Sequence, residues 1–179
     1  MKLRAALRSG VTAVALLISA SLVNFAPSAR AQTAAAPGPV LVIGGDVPHP
    51  LQFSTEEFAR LPHVTVSAYN GHDQKRQSYE GVLLRDLLKQ AGVPQGEALR
   101  GKWVNYVVEM EAADGYRVVF ALAELDTSFQ DYQVVVADKM DGAELGKDQG
   151  PLKLVAPQDK RPGRWIRELQ KITVLQAAP

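Results

Sequence analysis

The spacing of apolar and polar residues changes several times along the chain, and each change predicts an element. His63 to Tyr69 alternates, with Val64, Val66 and Ala68 on one face and His63, Thr65, Ser67 and Tyr69 on the other, the period of a half-buried strand. Asn70-Gly71-His72-Asp73 follows as a turn, and Gln74 to Glu80 is a returning strand polar enough for a sheet edge. Leu84, Leu87 and Leu88 fall at i, i+3 and i+4, so Leu83 to Ala91 is expected to be a helix, with Gly92 at its C-terminal cap. Trp103 to Glu111 is expected to be the longest strand, with Val104, Tyr106, Val108 and Met110 on its apolar face. Asp114-Gly115 turns that strand and Tyr116 to Phe120 returns as a hairpin.

Shorter signals fill the gaps. Val40 to Ile43 and Leu51 to Phe53 are extended, and Ser54 with Glu57 forms a capping box that opens a short helix stopped by Pro62. Ala121 to Leu125 is one helical turn. Gln133 to Ala137 and Leu152 to Ala156 are continuous apolar strands separated by an Asp141-Gly142 turn, and Ile172 to Leu175 is the last strand. Arg164 to Leu169 fits a helical turn or a bend. Many short strands with few short helices predict a single α+β domain on a mixed sheet.

The stretch Gly150 to Trp165 carries the densest chemistry. Pro157 ends the preceding strand, and the loop beyond it holds Lys160, Arg161 and Arg164 beside Pro162 and Gly163, with Trp165 as a large anchor. Guanidinium groups grip phosphate or carboxylate through two parallel hydrogen bonds, so this loop is a candidate anion site. The plainer alternative is a solvated loop whose arginines pair with nearby carboxylates. Asp114, Tyr116 and Arg117 sit at the hairpin tip and can face the same cleft, although Asp114-Gly115 is also ordinary turn chemistry. His72 is a further candidate, next to Asp73 in a polar turn. No pair of histidines stands at i, i+4 and no G-x-S-x-G elbow occurs, which removes the H-E-x-x-H zinc enzymes and the elbow-type serine hydrolases.

The first 31 residues differ in kind from the rest. Lys2, Arg4 and Arg8 form a basic start without an acid, Val11 to Ala26 is largely apolar, and Ala29-Arg30-Ala31 fits a cleavage site. The run is shorter than the roughly 20 residues a membrane span needs, and Pro27 ends it. Residues 1–31 are therefore expected to be a secretory signal peptide cleaved after Ala31, with a second small-residue site at Ala34 to Ala36. Residues 32–39 are then an Ala/Pro tether and 40–179 the domain, placed in the periplasm or secreted with no transmembrane segment left. Without Lys2, Arg4, Arg8 and Arg30 the chain keeps 16 basic against 19 acidic residues, a net charge near −3, unsuited to nucleic acid. The absence of Arg-Arg before the apolar run marks a signal threaded out unfolded, not the twin-arginine kind. Cysteine is absent, which excludes thiolate metal sites, Fe–S clusters, C-x-x-C-H haem attachment and cysteine nucleophiles.

Five segments, in order, resemble the sulfite-oxidase-type molybdopterin-binding domain. They are Tyr79-x-Gly81-Val82-x-Leu84-x-x-Leu87-Leu88-x-x-Ala91-Gly92, then Asp114-Gly115-Tyr116, Asp141-Gly142, Gly150-Pro151-Leu152-Lys153-Leu154-Val155-Ala156-Pro157, and Arg164-Trp165-Ile166. The resemblance spans about residues 50–175 and implies that family's fold, an α+β mixed-sheet domain with short helices. It also implies a molybdenum centre on a pyranopterin, completed by a cysteine thiolate at the end of the strand before the Tyr-x-Gly-Val segment, at about Ser67 to Tyr69. No thiol stands there, and the family's G-N-R-R segment is replaced by Asn70-Gly71-His72-Asp73. Cofactor-loaded members leave the cytoplasm folded, whereas this signal implies export of an unfolded chain. In that family the Lys160 to Arg164 loop lies near the pterin phosphate.

The expectation is an exported protein of this fold without a working molybdenum centre. Its cleft, lined by Lys160, Arg161, Arg164, Asp114, Tyr116, Arg117 and His72, would bind a small anionic ligand or serve a periplasmic or membrane partner protein. An oxidoreductase with non-cysteine ligation and a pure interaction module are the competing expectations. The residues themselves name no cofactor; the resemblance alone brings in molybdopterin.

Overall fold

The structure, a computed structural model, describes residues 38–71 and 73–177. The expected signal peptide, residues 32–37 of the tether, and His72 lie outside the described residues. In chain order the elements are β1 (Leu41–Gly45), β2 (Leu51–Phe53), α1 (Thr55–Ala59), β3 (Val64–Asn70), β4 (Lys75–Leu83) and α2 (Leu84–Gln90). Then follow β5 (Tyr106–Ala112), β6 (Arg117–Ala121), β7 (Val135–Met140), β8 (Ala143–Glu144), β9 (Lys153–Val155) and β10 (Leu169–Gln176). No helix among the described residues is long and apolar enough to cross a membrane.

Two mixed or antiparallel sheets share one hydrophobic cluster. The first has the order β2-β1-β10-β5-β6, with β1 and β10 parallel and the other neighbours antiparallel. The second runs β3-β4-β7-β8, all antiparallel, and β9 pairs with β7 along Val135 to Ala137. Leu84, Leu87 and Leu88 of α2 are buried together, as their spacing predicts. The capping box closes α1: Ser54 Oγ accepts from the Glu57 N–H at 3.2 Å, and Glu57 Oε2 accepts from the Ser54 N–H at 2.8 Å. Gly92, at φ +83°, takes the left-handed cap position after α2.

Two expectations are corrected. The strand after Asn70 is not an edge: β4 lies between β3 and β7 and is the longest strand, at nine residues. Its polar residues Arg76 and Ser78 face solvent while Gln77, Tyr79 and Gly81 face inward, so alternation hid a central strand. The stretch from Trp103 to Asn105 is not strand either. Gly101 to Asn105 forms a 3₁₀ turn opened by Gly101 at φ +60°, Val104 is exposed, and β5 begins only at Tyr106.

The junction of β4 and β7 carries an irregularity that matters for the cleft. Tyr79 pairs with Met140 and Glu80 with Lys139, but Gly81 pairs with Ala137, leaving Asp138 as an extra residue in β7. At this point the two backbones approach so closely that a Cβ on Gly81 would stand 2.1 Å from the Val136 carbonyl oxygen and 2.5 Å from Ala137 Cα. Neither neighbour can swing aside. Gly81→Ala is therefore expected to destabilise the domain by about 1–3 kcal/mol, read as a lower urea midpoint in equilibrium unfolding.

Candidate functional site

Lys153 is the one charged side chain of an otherwise apolar strand, and β9 buries it to 5% exposure. Its Nζ donates to Gln149 Oε1 at 2.5 Å and lies 5.4 Å from the centre of the Tyr79 ring and 5.8 Å from that of Trp165. Those two rings meet edge to face at 5.7 Å. Among the described residues no carboxylate oxygen comes within salt-bridge distance of this ammonium. Burial, the main cause, pushes its pKa below the ordinary lysine value; Arg167 adds to the depression and Asp73 opposes it.

A polar ladder holds the cage in place. Tyr79 is fully buried, its hydroxyl donates to Gln77 Oε1 at 2.9 Å, and burial raises its pKa to about 12. Asn70 Nδ2 donates to the same Gln77 oxygen at 2.8 Å and to Asp73 Oδ2 at 3.0 Å. Trp165 Nε1 donates to the Ala156 carbonyl at 2.9 Å, which fixes the indole. At the cage opens a recess of about 390 Å³ lined by Asn70, Asp73, Met140, Gln149, Lys153, Pro162, Trp165 and Arg167. That volume lies in the range of small-ligand sites. A second recess of about 250 Å³ shares Pro162, Trp165 and Arg167 and adds Ala112, Asp114, Tyr116 and Gly163.

The residues expected from sequence divide into two groups. Asp114 and Tyr116 line the second recess, and the Tyr116 hydroxyl donates to the Gly163 carbonyl at 2.7 Å, tying the hairpin tip to the loop. Asp114 Oδ1 also accepts from the Tyr116 N–H at 2.9 Å, the turn chemistry its position suggests. Arg164 is engaged inside the domain. Its Nε and Nη2 donate to the two oxygens of Asp159 at 2.9 and 2.6 Å, its Nη1 donates to Glu124 at 2.9 Å, and its guanidinium lies 3.8 Å from the Phe120 ring centre. The Asp159 bonds, followed by Glu124, hold it more firmly protonated than an ordinary arginine. Arg117 faces Glu111 at 3.2 Å and Glu109 at 3.8 Å along β5. Arg117, Lys160 and Arg161 line neither recess, and His72 lies outside the described residues.

Lys153, Gln149, Gln77, Asn70 and Arg167 were not singled out from sequence. One signal was available: a lone lysine inside Leu152 to Ala156, a run otherwise apolar enough for a buried strand.

The metal site implied by the resemblance can be tested on the donors present. Ser67 and Tyr69 are exposed on the outer face of β3, while the inward positions are Val66, Ala68 and Asn70. The chain contains no cysteine, and the recess offers an amide pair, one carboxylate and two cations. Among the described residues no three histidine, aspartate or glutamate side chains converge on a common point. These residues do not fit a thiolate-completed molybdenum centre.

Two outcomes follow from this geometry. Arg164→Ala is expected to cost about 1–2 kcal/mol of stability, allowing for its partial exposure, with the loss seen in chemical denaturation. Lys153→Met is expected to raise the melting temperature near neutral pH by about 2–4 °C, because it removes a buried charge with no carboxylate in salt-bridge distance among the described residues. The sign follows from proton binding. Between the depressed folded pKa and the ordinary lysine value the unfolded chain binds more protons, so wild-type stability recovers as pH rises through that window. The melting advantage of the variant should accordingly narrow on titration toward alkaline pH.

Comparison of the sequence with curated proteins gives no match. Among solved structures the chain is similar to the sulfane dehydrogenase SoxCD from Paracoccus pantotrophus, at 23% identity and a TM-score of 0.61. The likeness covers 77% of this chain but 38% of that one, and it carries the fold. The family described as "Oxidoreductase molybdopterin binding domain" matches residues 39–179, which include both sheets and both recesses. The chain belongs to the oxidoreductase molybdopterin-binding-domain family.

Proposed function

We propose that the mature chain is an exported member of this family that binds a small anionic ligand in the Lys153 recess and carries no thiolate-bound molybdenum. One observation carries the reading: an ammonium group buried beneath a recess of ligand size, with a single amide partner and no carboxylate partner among the described residues. An ammonium has three donors, and a buried cation with no carboxylate within salt-bridge distance among the described residues is costly, Asp73 acting on it only from across the recess. An anion entering the recess supplies both the charge and the missing acceptors. Arg167 on the same wall adds a second cation, and Asp73 and Gln149 can accept from hydroxyl or amino groups elsewhere on the ligand. Export rests on the basic start, the apolar run and Ala29-Arg30-Ala31.

The test is calorimetry and thermal shift on the mature protein with phosphate, sulfate and short carboxylates. An anion supplied at about 100 times its dissociation constant should stabilise the wild type by about 2.7 kcal/mol, and Lys153→Gln should abolish the shift. An unchanged shift in the variant would remove the assignment. If none of these anions moves the melting temperature, the interaction-module reading takes its place. Molybdenum and pterin in stoichiometric amounts in protein from its native compartment would restore the oxidoreductase reading.

A further inference from the structure

The position of Lys153 has a chemical consequence beyond holding charge. We infer that Lys153 is a nucleophilic amine and that the ligand of the recess is a small carbonyl-bearing acid, captured as an imine on Nζ. The inference rests on the anion-binding reading and narrows its ligand class. An amine becomes a nucleophile when its environment disfavours the charged form, through desolvation or a neighbouring cation. Desolvation leads at this residue: the side chain is buried against two rings, Arg167 in the same recess adds to the effect, and Asp73 across it opposes the effect. Once deprotonated, Lys153 can donate one hydrogen to Gln149 Oε1 and keep a lone pair free to turn toward the opening. Burial lowers its pKa, so the deprotonated form is reached more readily here than at an exposed lysine.

No other described lysine shares this setting. Lys75, Lys89, Lys102, Lys147, Lys160 and Lys171 are exposed, and Lys139 is paired with Glu80 at 3.1 Å. The arrangement also selects among carbonyl compounds. A carboxylate on the ligand finds the Arg167 guanidinium on the recess wall, while its carbonyl carbon faces the amine, which is the layout of a 2-oxo acid. The step balances without any further reagent. The Nζ lone pair forms the C–N bond as the carbonyl π pair moves to oxygen, which takes up a proton. The nitrogen then loses its protons, the oxygen leaves as water and the C=N bond closes. One amine and one carbonyl give one imine and one water, with no change in oxidation state.

The test is reductive trapping on the mature wild-type protein, with pyruvate as probe, acetone as its uncharged counterpart and cyanoborohydride to fix any imine. Intact mass and peptide mapping locate the adducts. The expected result is a single pyruvate adduct at Lys153, formed faster than at any exposed lysine and faster than the acetone adduct. In Lys153→Arg that adduct should be lost, with the slow labelling of surface lysines unchanged. Labelling spread over the exposed lysines, with Lys153 no more modified than Lys89, would overturn the imine. Because mapping on the wild type decides the point, a variant that fails to fold does not blunt the test. If pyruvate raises the melting temperature yet leaves Lys153 unmodified, anion binding stands and the imine falls. Absence of both the pyruvate shift and the adduct removes the imine, while anion binding stands or falls on the phosphate, sulfate and carboxylate titrations.

Discussion

A buried lysine with no carboxylate in salt-bridge distance among the described residues is the constraint around which this domain's functional half is arranged. Lys153 could sit in β9 only because every neighbour is held in a set place: Tyr79 by Gln77, Trp165 by the Ala156 carbonyl, and Gln149 within bonding distance. Each anchor comes from a different part of the chain, so the cage forms only when β4, β9 and the loop after β9 have come together. The elements that look most structural, a central strand and a core tryptophan, are also the walls of the recess. Stability and site chemistry therefore share the same atoms, and the site holds a charge the core would be more stable without.

Much of the fold was legible in the sequence because it depends on local rules. The Leu84, Leu87 and Leu88 stripe, the Ser54 and Glu57 cap, the Asp114-Gly115 hairpin and the alternation of Val66 and Ala68 all appear where their patterns put them. What failed depended on neighbours that a linear reading does not contain. Gln77 looked like edge polarity, yet it is buried because Asn70 and Tyr79 satisfy its oxygen. Arg164 looked like a ligand contact, yet Asp159 lies five residues back and Glu124 forty, and both close on it. Only the second of those partners required the fold to be known. Lys153 was the reverse case: its oddness stood in the sequence, but an apolar run with one lysine gives no hint of what surrounds the amine.

The family scaffold and the family chemistry separate in this chain. Two sheets, the motif order and the loop after β9 belong to the molybdopterin-binding domain, and the match runs over residues 39–179. The strand that would offer a thiolate instead turns Ala68 and Asn70 inward. No thiolate stands here, while nitrogen and oxygen groups crowd the same opening. A fold preserved while its donor set changes is the ordinary relation between architecture and activity.

The extra residue in β7 decides what kind of wall the recess has. With Asp138 inserted, Met140 comes opposite Tyr79 and presents a polarizable thioether to the opening. Were the strand regular, Lys139 would take that place and a second amine would stand beside the first. One residue of slippage thus separates a lone primary amine from a mutually repelling pair. The singularity of that nitrogen is a matter of backbone register.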